Sequence, residues 1–327
     1  MSAPYAPIWP YGVQLRTFGG EISWLEERRH YVTASDAAVI CGQSSYRSLF
    51  TLFQIKLGLE AEEIDPELAY WGHIHEAAIA RRYKRDTGRQ VFNPGRYPLV
   101  VNAEFPWMAA TLDRTTIIDG QVVPLELKTR SAYSTKEWDA GEVPQDIYLQ
   151  VQHQMVCCGA HKASLAVLIG GNKFRWTDIA YDQPVCNRLI SACEDFMFHV
   201  KNQDPPDVDG HESTTRTLAR LHPADNGESV QLPAEALDVD DEREEVQATI
   251  KEAERRLDEL NNQLKQWLAD NTFGVLPGVQ YSWKTQTGKL RLICAPECER
   301  FLKSAGIPFE KNGGKDMRVL RRKETAI

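Results

Sequence analysis

Between residues 21 and 201 the apolar positions recur first with helical and then with strand periods, and the two kinds of segment alternate along the chain. A helix crossing between two groups of strands predicts an α/β (α+β) mixed sheet with helices on its faces. We expect helices at about 21–42 (two short ones joined by a break), 44–60, 70–88, 145–158 and 183–201, and strands at 97–101, 107–118, 121–129, 163–169 and 174–180.

The pattern changes beyond residue 205. Residues 206–232 are rich in Pro, Asp and Gly and predict a linker between a domain at 1–205 and a region at 233–327. Apolar residues then step by four and three, as in a coiled-coil seam, which is buried either against a second copy or by folding back. The seam residues are Val246, Ile250, Ala253, Leu257, Leu260, Leu264 and Trp267. A small hairpin turning at Thr287-Gly288 and a basic end complete the prediction.

Composition predicts a globular protein that stays in solution. The chain has 327 residues, of which 42% are hydrophobic and 26% charged, enough for a sizeable core. It has no apolar run of membrane length and no signal-peptide pattern at the N-terminus, so we expect a cytoplasmic protein, in the bacterial host if it is phage-encoded. Seven cysteines, an odd number, favour reduced thiols.

The net charge of -8 argues against a general nucleic-acid binder. It does not exclude a local basic channel, because attraction to phosphates depends on where the charges lie.

The dipeptide Asp119-Gly120 has β-rich segments on both sides within residues 112–128. It favours a two-residue hairpin turn, because both turn positions need positive φ. Counting outward from that turn places Asp113 directly opposite Glu126 on one face of the sheet. Side chains alternate along a strand, so Lys128 lies on the same face as Glu126. The hairpin therefore predicts that two acids and a lysine meet.

Opposed carboxylates on a sheet repel each other, and apolar neighbours make their ionisation costlier unless a cation is present. Oxygen ligands without cysteine or histidine favour Mg²⁺ or Mn²⁺ over zinc. The alternative is a solvated edge hairpin with surface ion pairs. Pro124 removes one donor from the ladder and can shift the register by a bulge.

A second candidate site lies in residues 21–42. Trp24 and Arg28 are four apart on one helix face, and Ser35-Asp36 offers a cap for the next helix. Free amides at a helix start, a hydroxyl and an arginine form an anion site, most simply for a phosphate. Ordinary capping beside a surface arginine is the alternative.

Two further helices carry polar residues of interest. Glu76 lies with the apolar stripe of its helix and needs a partner, either a metal or a core-facing arginine. Gln150 and Gln154 share a face of the helix that begins after Pro144, either above the acids or at the surface. The far side of the Glu76 helix is a solvated face or a DNA track, formed by Arg81, Arg82, Lys84, Arg85 and Arg89.

Four runs, in this order and spacing over about residues 21–200, resemble the YqaJ-like viral recombinase family of phage lambda-type exonucleases in the PD-(D/E)xK superfamily. They are WLEERRHYVTASDAAVICG, WGHIHEAAIARRYKRDTG, LDR with LELK, and IYLQVQHQM. The resemblance implies a Mg²⁺-dependent 5′-to-3′ exonuclease on linear double-stranded DNA. Such an enzyme leaves a 3′ overhang for a single-strand annealing protein, and relatives form homo-oligomeric rings.

The resemblance also implies residue roles. Two metal ions are expected, with Mn²⁺ able to replace Mg²⁺, and the implied ligands are Glu76, Asp113, Glu126 and the carbonyl of Leu127. Lys128 matches the family's lysine and Gln150 its following glutamine. Trp24, Arg28 and Ser35 match the groups that bind the 5′-phosphate. The family's usual Pro-Asp-Gly reads Leu112-Asp113-Arg114 here, and Thr129 follows the lysine.

Two other functions stay open at this point. One is a PD-(D/E)xK nuclease of another polarity or with endonucleolytic action in repair or restriction. The other is a non-catalytic interaction protein that recruits a partner through the coiled coil at 233–270.

Overall fold

The computed structural model describes residues 9–10, 12–62, 65–95, 97–132, 138, 142–286, 290–291, 296–306, 312–313 and 317–324. The chain divides into two compact units, Met1–Asn226 and Gly227–Ile327.

The first unit is a mixed α/β structure, as predicted. Its helices are α1 (Glu21–Arg28), α2 (Ala37–Ile40), α3 (Leu49–Lys56), α4 (Pro66–Thr87), α5 (Gln145–Cys158), α6 (Gln183–Asn202) and α7 (Glu212–Leu221). Its strands are β1 (Val13–Thr17), β2 (Val32–Thr33), β3 (Val91–Phe92), β4 (Pro98–Asn102), β5 (Met108–Ala110), β6 (Arg114–Ile118), β7 (Gln121–Arg130), β8 (Lys162–Ile169) and β9 (Lys173–Ala180). One sheet has the order β3-β6-β7-β8-β9 with β7 and β8 parallel, and the other has the order β1-β4-β5-β2.

The hairpin of β6 and β7 has the register that the sequence predicts. Asp119 and Gly120 have φ of 51° and 80°, as a tight two-residue turn requires. Pairing runs from Ile118 with Gln121 to Arg114 with Leu125, and Pro124 faces Thr115 without a bulge. The strand expected over 107–118 is interrupted, because β5 ends before residue 111 and β6 begins after residue 113.

The two faces of β7 meet different helices, because its side chains alternate. Leu125 and Leu127 are buried against Ile79, Ala80 and Tyr83 of α4.

Glu126 points to the other face, where α5 packs. This helix is buried nearly all round, and its Gln152 and Gln154 are 0% and 1% exposed. The polar face of α5 is therefore not a surface face.

Two helices differ from their expected limits at the N-terminus. Helix α4 begins earlier than predicted, at Pro66, because the Asp65 carboxylate accepts hydrogen bonds from the first-turn amides. Helix α3 begins later, at Leu49, where Ser48 caps it. At the C-termini, α4 ends at Thr87, within one residue of its expected limit, and α3 ends at Lys56, four residues before its own. Gly88 and Gly58 follow the two helices with φ of 70° and 74°.

The predicted linker at 206–232 contains helix α7, which packs on α3 through hydroxyl groups. Ser213 Oγ accepts a hydrogen bond from the Ser48 amide at 2.9 Å, and the Thr51 and Thr217 hydroxyls are 3.1 Å apart. Small polar residues are buried here, so no apolar stripe in the sequence indicated the contact. The domain limits at 205 and 233 stay a prediction.

The second unit contains one long helix and short strands. Its elements are α8 (Ala236–Leu268), α9 (Pro296–Ser304), β10 (Phe273–Leu276), β11 (Val279–Gln286), β12 (Leu290–Arg291), β13 (Asn312–Gly313) and β14 (Met317–Glu324). The seam predicts a helix, and α8 agrees; its pairing as a coiled coil stays a prediction. Seam residues such as Ile250 and Leu257 are 52% and 57% exposed within this unit.

The predicted terminal hairpin is wrong in its pairing. Strand β11 lies between β10 and β14, and β12 pairs with β13. The partner β14 comes from the basic end of the chain, at a separation that local patterns do not reveal. The expected turn at Thr287-Gly288 lies outside the described residues.

Over the part of the chain that the structure describes, we find no helix with the length and hydrophobicity needed to span a bilayer.

Candidate active site

The hairpin brings Asp113, Glu126 and Lys128 together, as its register predicts. Lys128 Nζ lies 2.6 Å from Glu126 Oε1. Asp113, just before β6, accepts a hydrogen bond of 2.9 Å from the Leu127 amide through its Oδ2. Glu126 is only 2% exposed. The alternative of a solvated edge hairpin is therefore excluded for Glu126, whose strand β7 lies between β6 and β8. The Lys128 side chain is 23% exposed.

The cluster has one cation for two acids, and this imbalance shifts the pKa values. Burial and the neighbouring Glu126 carboxylate raise the pKa of Asp113 well above its usual range, although Lys128 opposes the shift. Burial lowers the pKa of Lys128, but Glu126 and Asp113 outweigh it and raise the pKa overall. Lys128 is therefore a protonated ammonium at neutral pH, which donates hydrogen bonds.

Two glutamines one helical turn apart on α5 hold the Glu126 carboxylate. Gln150 Nε2 donates to Glu126 Oε1 and Gln154 Nε2 donates to Oε2, each at 2.6 Å. Holding both oxygens fixes the plane of the carboxylate. The spacing of four residues predicts that Gln150 and Gln154 share a helix face, either above the acids or at the surface, and the structure shows them above the acids. The resemblance implies a role only for Gln150.

Glu76 is engaged by two cationic or polar groups. Its Oε2 is 3.3 Å from Arg114 Nη1, and its Oε1 is 3.1 Å from His73 Nδ1. Arg114 also donates to the backbone carbonyl of Asp113. Of the two partners expected for Glu76, the structure shows the arginine. The His73 contact was not among the expected partners, although its spacing of three residues from Glu76 places the two side chains together on the helix.

The chemistry of the cluster fits a hard divalent cation. Asp113, Glu126 and the carbonyl of Leu127 offer only oxygen atoms, which Mg²⁺ and Mn²⁺ prefer. Because the cluster has one lysine for two acids, it also lacks one compensating positive charge. Within the described ranges, His, Cys, Asp and Glu side chains do not form any group of three or more that can hold a metal ion.

The second predicted site is also assembled. The Arg28 guanidinium lies over the Trp24 ring, 4.5 Å from its centroid. Its Nη2 donates to Ser35 Oγ at 3.4 Å and to Thr33 Oγ1 at 3.5 Å. Arg28 Nη1 is 3.8 Å from a carboxylate oxygen of Glu62. An arginine and two hydroxyls thus meet at the start of the 3₁₀ turn Ala34–Asp36.

A buried ion pair supports this turn. Lys56 Nζ lies 2.7 Å from Asp36 Oδ2, and both side chains are nearly inaccessible. The same carboxylate accepts hydrogen bonds from the Thr33 amide and hydroxyl. Burial alone raises the pKa of Asp36, but Lys56 and the Thr33 groups lower it below its ordinary value. No local pattern in the sequence pairs Lys56 with Asp36, because Lys56 lies in a different helix, α3. The only indication is that a buried aspartate needs a cation as its partner.

A cavity of about 790 Å³ is lined by residues of both sites, Ser35 from one and Gln150 from the other. Four arginines also line it, and they are Arg47, Arg130, Arg216 and Arg220. The cavity therefore extends from one site to the other. Each of its four arginines pairs with an acid, so the lining has no clear surplus of positive charge.

The remaining basic cluster on α4 is partly neutralised. Arg82 and Arg85 pair with Asp86, and Arg89 makes two 2.7 Å bonds to Asp178. These pairs favour the solvated face over the DNA track.

Comparison with known proteins gives a consistent result. Residues 23–161 match the model of the YqaJ-like viral recombinase domain. The chain is 31% identical over 266 residues to the uncharacterized protein YqaJ of Bacillus subtilis (strain 168), and the match covers 80% of this chain and 82% of that protein.

Solved structures with a similar fold include an alkaline exonuclease, LHK-Exo, from Laribacter hongkongensis, in complex with dAMP. Its TM-score is 0.47 at 20% identity, over 62% of this chain and 100% of that chain. A phage-related exonuclease from Haemophilus somnus 129PT has a TM-score of 0.39 at 11% identity, over 55% of this chain and 99% of that chain.

Proposed function

The chain belongs to the YqaJ-like viral recombinase family, and from this premise we propose that it is a DNA exonuclease with a specific activity. The protein digests linear double-stranded DNA from 5′ to 3′, depends on Mg²⁺, and leaves 3′ single-stranded overhangs for recombination by strand annealing. The observation that carries this proposal is the cluster of Asp113, Glu126 and Lys128, in which two glutamines hold the buried carboxylate of Glu126.

In this proposal Asp113, Glu126 and the Leu127 carbonyl hold one divalent ion, and Glu76 contributes to a second. Bound metal supplies Lewis-acid stabilisation of the phosphate and of the attacking and leaving oxygens. Mn²⁺ is expected to replace Mg²⁺, because it accepts the same oxygen ligands.

The residues themselves supply orientation and charge. The Lys128 ammonium donates a hydrogen bond to the attacking water and favours loss of its proton by electrostatic stabilisation of the product. Gln150 and Gln154 keep the Glu126 carboxylate in one orientation through bonds of 2.6 Å each.

Polarity comes from the second site. Arg28, with Ser35 at 3.4 Å, binds the terminal 5′-phosphate, and the Trp24 ring holds the guanidinium from one side. The cavity that extends from Ser35 to Gln150 gives the strand a path between the phosphate site and the acids. After each cut, the new 5′-phosphate is drawn into the same site.

Digestion of a linear duplex with and without a 5′-phosphate, in Mg²⁺ and in EDTA, tests this function. We expect fast shortening of the 5′-phosphorylated strand in Mg²⁺, slow digestion of the 5′-hydroxyl end, and none in EDTA. A closed circular duplex should remain intact. Cutting of the circle would overturn the exonuclease assignment, and digestion in EDTA would overturn the metal dependence.

We further propose that the chain acts as a homo-oligomer, in a ring, and delivers its overhang to a single-strand annealing protein. The support is the exposed apolar seam of α8, which includes Ile250 and Leu257. Light scattering on Leu257→Glu tests the seam, because a charge there is expected to lower the assembled mass. An unchanged mass removes the seam as the assembly interface.

A further inference from the structure

Arg114 follows Asp113 directly, at the position where the Pro-Asp-Gly pattern of the family has glycine. Its Nη1 lies 3.3 Å from Glu76 Oε2, and the two side chains are 16% and 21% exposed. The same nitrogen donates to the backbone carbonyl of Asp113. The guanidinium therefore lies between the Asp113 segment and the glutamate of α4.

The sheet register explains this position. Arg114 pairs with Leu125, so both project toward the face that α4 covers. Glu126 and Lys128 project toward the opposite face, because side chains alternate along β7. Glu76 therefore contacts Arg114 on the α4 side of the sheet, whereas Glu126 lies on the opposite side.

Both oxygens of Glu76 already have a partner. Arg114 occupies Oε2, and His73 Nδ1 lies 3.1 Å from Oε1. A metal ion that uses Glu76 must replace at least the Arg114 contact, a charge-assisted hydrogen bond in partly buried surroundings. Glu126 also has partners, since Lys128 lies 2.6 Å from its Oε1. Among the described residues, however, Asp113 is hydrogen-bonded through Oδ2 alone, so a first ion can bind Asp113 without opening the Arg114 pair.

We propose that Arg114 is an internal cation that holds Glu76 in an ion pair, and that this pair must open before Glu76 binds a second metal ion. The two ions then bind in sequence with unequal affinity. Arg114 is a positioning residue in this scheme, and it limits occupancy of the second metal position. The inference rests on the proposed metal-dependent function and adds the order of binding to it.

Calorimetric titration of Mn²⁺ into the full chain, without DNA, tests the proposal. The wild-type protein is expected to bind one ion tightly and a second weakly. Arg114→Gln keeps the bulk and removes the charge, so the affinity for the second ion should rise roughly tenfold or more. Arg114→Lys keeps the charge and should stay close to wild type. Glu76→Gln should abolish only the weaker site.

Arg82→Gln is the matched control, because Arg82 pairs with Asp86 at 2.8 Å on the same helix and the net charge changes equally. It should titrate like the wild type. Equal affinities for both ions in the wild type, or a second-ion affinity that Arg114→Gln changes no more than Arg82→Gln, overturns the role of Arg114 while the proposed function stands. A wild-type protein that binds no Mn²⁺ overturns the proposed function itself.

Discussion

Two clusters of the first unit differ in their balance of charge. The acid cluster is Asp113, Glu126 and Lys128, and the phosphate cluster, named for its proposed ligand, is Trp24, Arg28 and Ser35 with the supporting pair of Asp36 and Lys56. Asp113 and Glu126 share only Lys128, and the pKa of Asp113 is raised by burial and by Glu126. In the phosphate cluster Lys56 neutralises the buried Asp36. The arginine of this cluster, Arg28, is 3.8 Å from Glu62, which is a long ion-pair distance, and its side chain is partly accessible. One cluster therefore has an acid without a compensating cation, whereas the other has compensated its buried acid. In the proposed function the first binds a cation and the second an anion.

The difference shows how one fold builds two complementary sites. The phosphate cluster uses a neighbouring stretch, from Trp24 to Asp36, together with one lysine from α3. The acid cluster joins β7 with α5 and the segment before β6, so its imbalance is held in place by the sheet. We expect substitutions in the acid cluster to change catalysis and those at the buried pair to change folding.

The largest effect is expected at the single cation of the acid cluster. Lys128→Ala should lower kcat on linear duplex DNA by about 10²–10⁴-fold, because it removes the group that orients the attacking water. Initial rates in Mg²⁺ measure this effect. Lys162→Ala is the matched control, since Lys162 pairs with Asp119 at the exposed turn of the same hairpin. A Lys128→Ala enzyme with the wild-type rate removes the lysine from the mechanism.

The buried cation of the phosphate cluster should instead control stability. Lys56→Met keeps the apolar stem and removes the nearer cation of Asp36, leaving Arg47 at 3.9 Å, which should lower the free energy of unfolding by about 3–5 kcal/mol. Urea denaturation measures this change. A variant as stable as the wild type would show that Thr33 and Arg47 together satisfy Asp36.

The same pair makes a pH prediction. The pKa of Asp36 is lower in the folded chain than its ordinary value of 3.8. The stabilisation is therefore complete above that value and is lost as the pH falls below it, through the lowered folded pKa. Asp36→Asn should unfold with a weaker dependence on pH in this acid range. An identical dependence for both proteins would contradict the assignment.

Arg28 should affect the choice of DNA end. Arg28→Ala is expected to reduce the preference for 5′-phosphorylated over 5′-hydroxyl ends by about 10–100-fold, the value of a charge-assisted hydrogen bond. The ratio of the two digestion rates is the readout. Arg16→Ala, which removes an arginine paired with Glu27, should keep the ratio. Equal loss in both variants would indicate a general effect of charge.

The smallest effect is expected at the second glutamine. Gln154→Ala leaves Gln150 and Lys128 on Glu126 and should weaken Mn²⁺ binding about tenfold, as for other groups that orient metal ligands. Calorimetry gives the affinity, and Gln183→Ala on the exposed start of α6 is the control. Unchanged Mn²⁺ binding would show that the hydrogen bond from Gln150 is sufficient to orient the Glu126 carboxylate.

The sequence predicts those parts of the site that depend on local geometry. The Asp119-Gly120 turn defines the register, and the register places Asp113 opposite Glu126. The helical spacing of four residues likewise places Trp24 beside Arg28.

Contacts between distant segments could not be predicted in the same way. The pairs of Arg114 with Glu76 and of Lys56 with Asp36 depend on how α4 and α3 pack. Strand β14 reaches β11 across a long separation, and α7 docks through buried hydroxyls that have no apolar signature. Local periodicity contains none of this information.

The parallel pairing of β7 with β8 has a consequence for biosynthesis. Parallel neighbours cannot be joined by a tight turn, so the chain must first complete α5 and return across the sheet. Such non-local pairing is slow compared with closure of the β6–β7 hairpin. A chain still leaving the ribosome can thus form the hairpin with its acids, but it has no glutamines above Glu126. The orientation of the Glu126 carboxylate is therefore completed only after α5 has been made and has packed on the sheet.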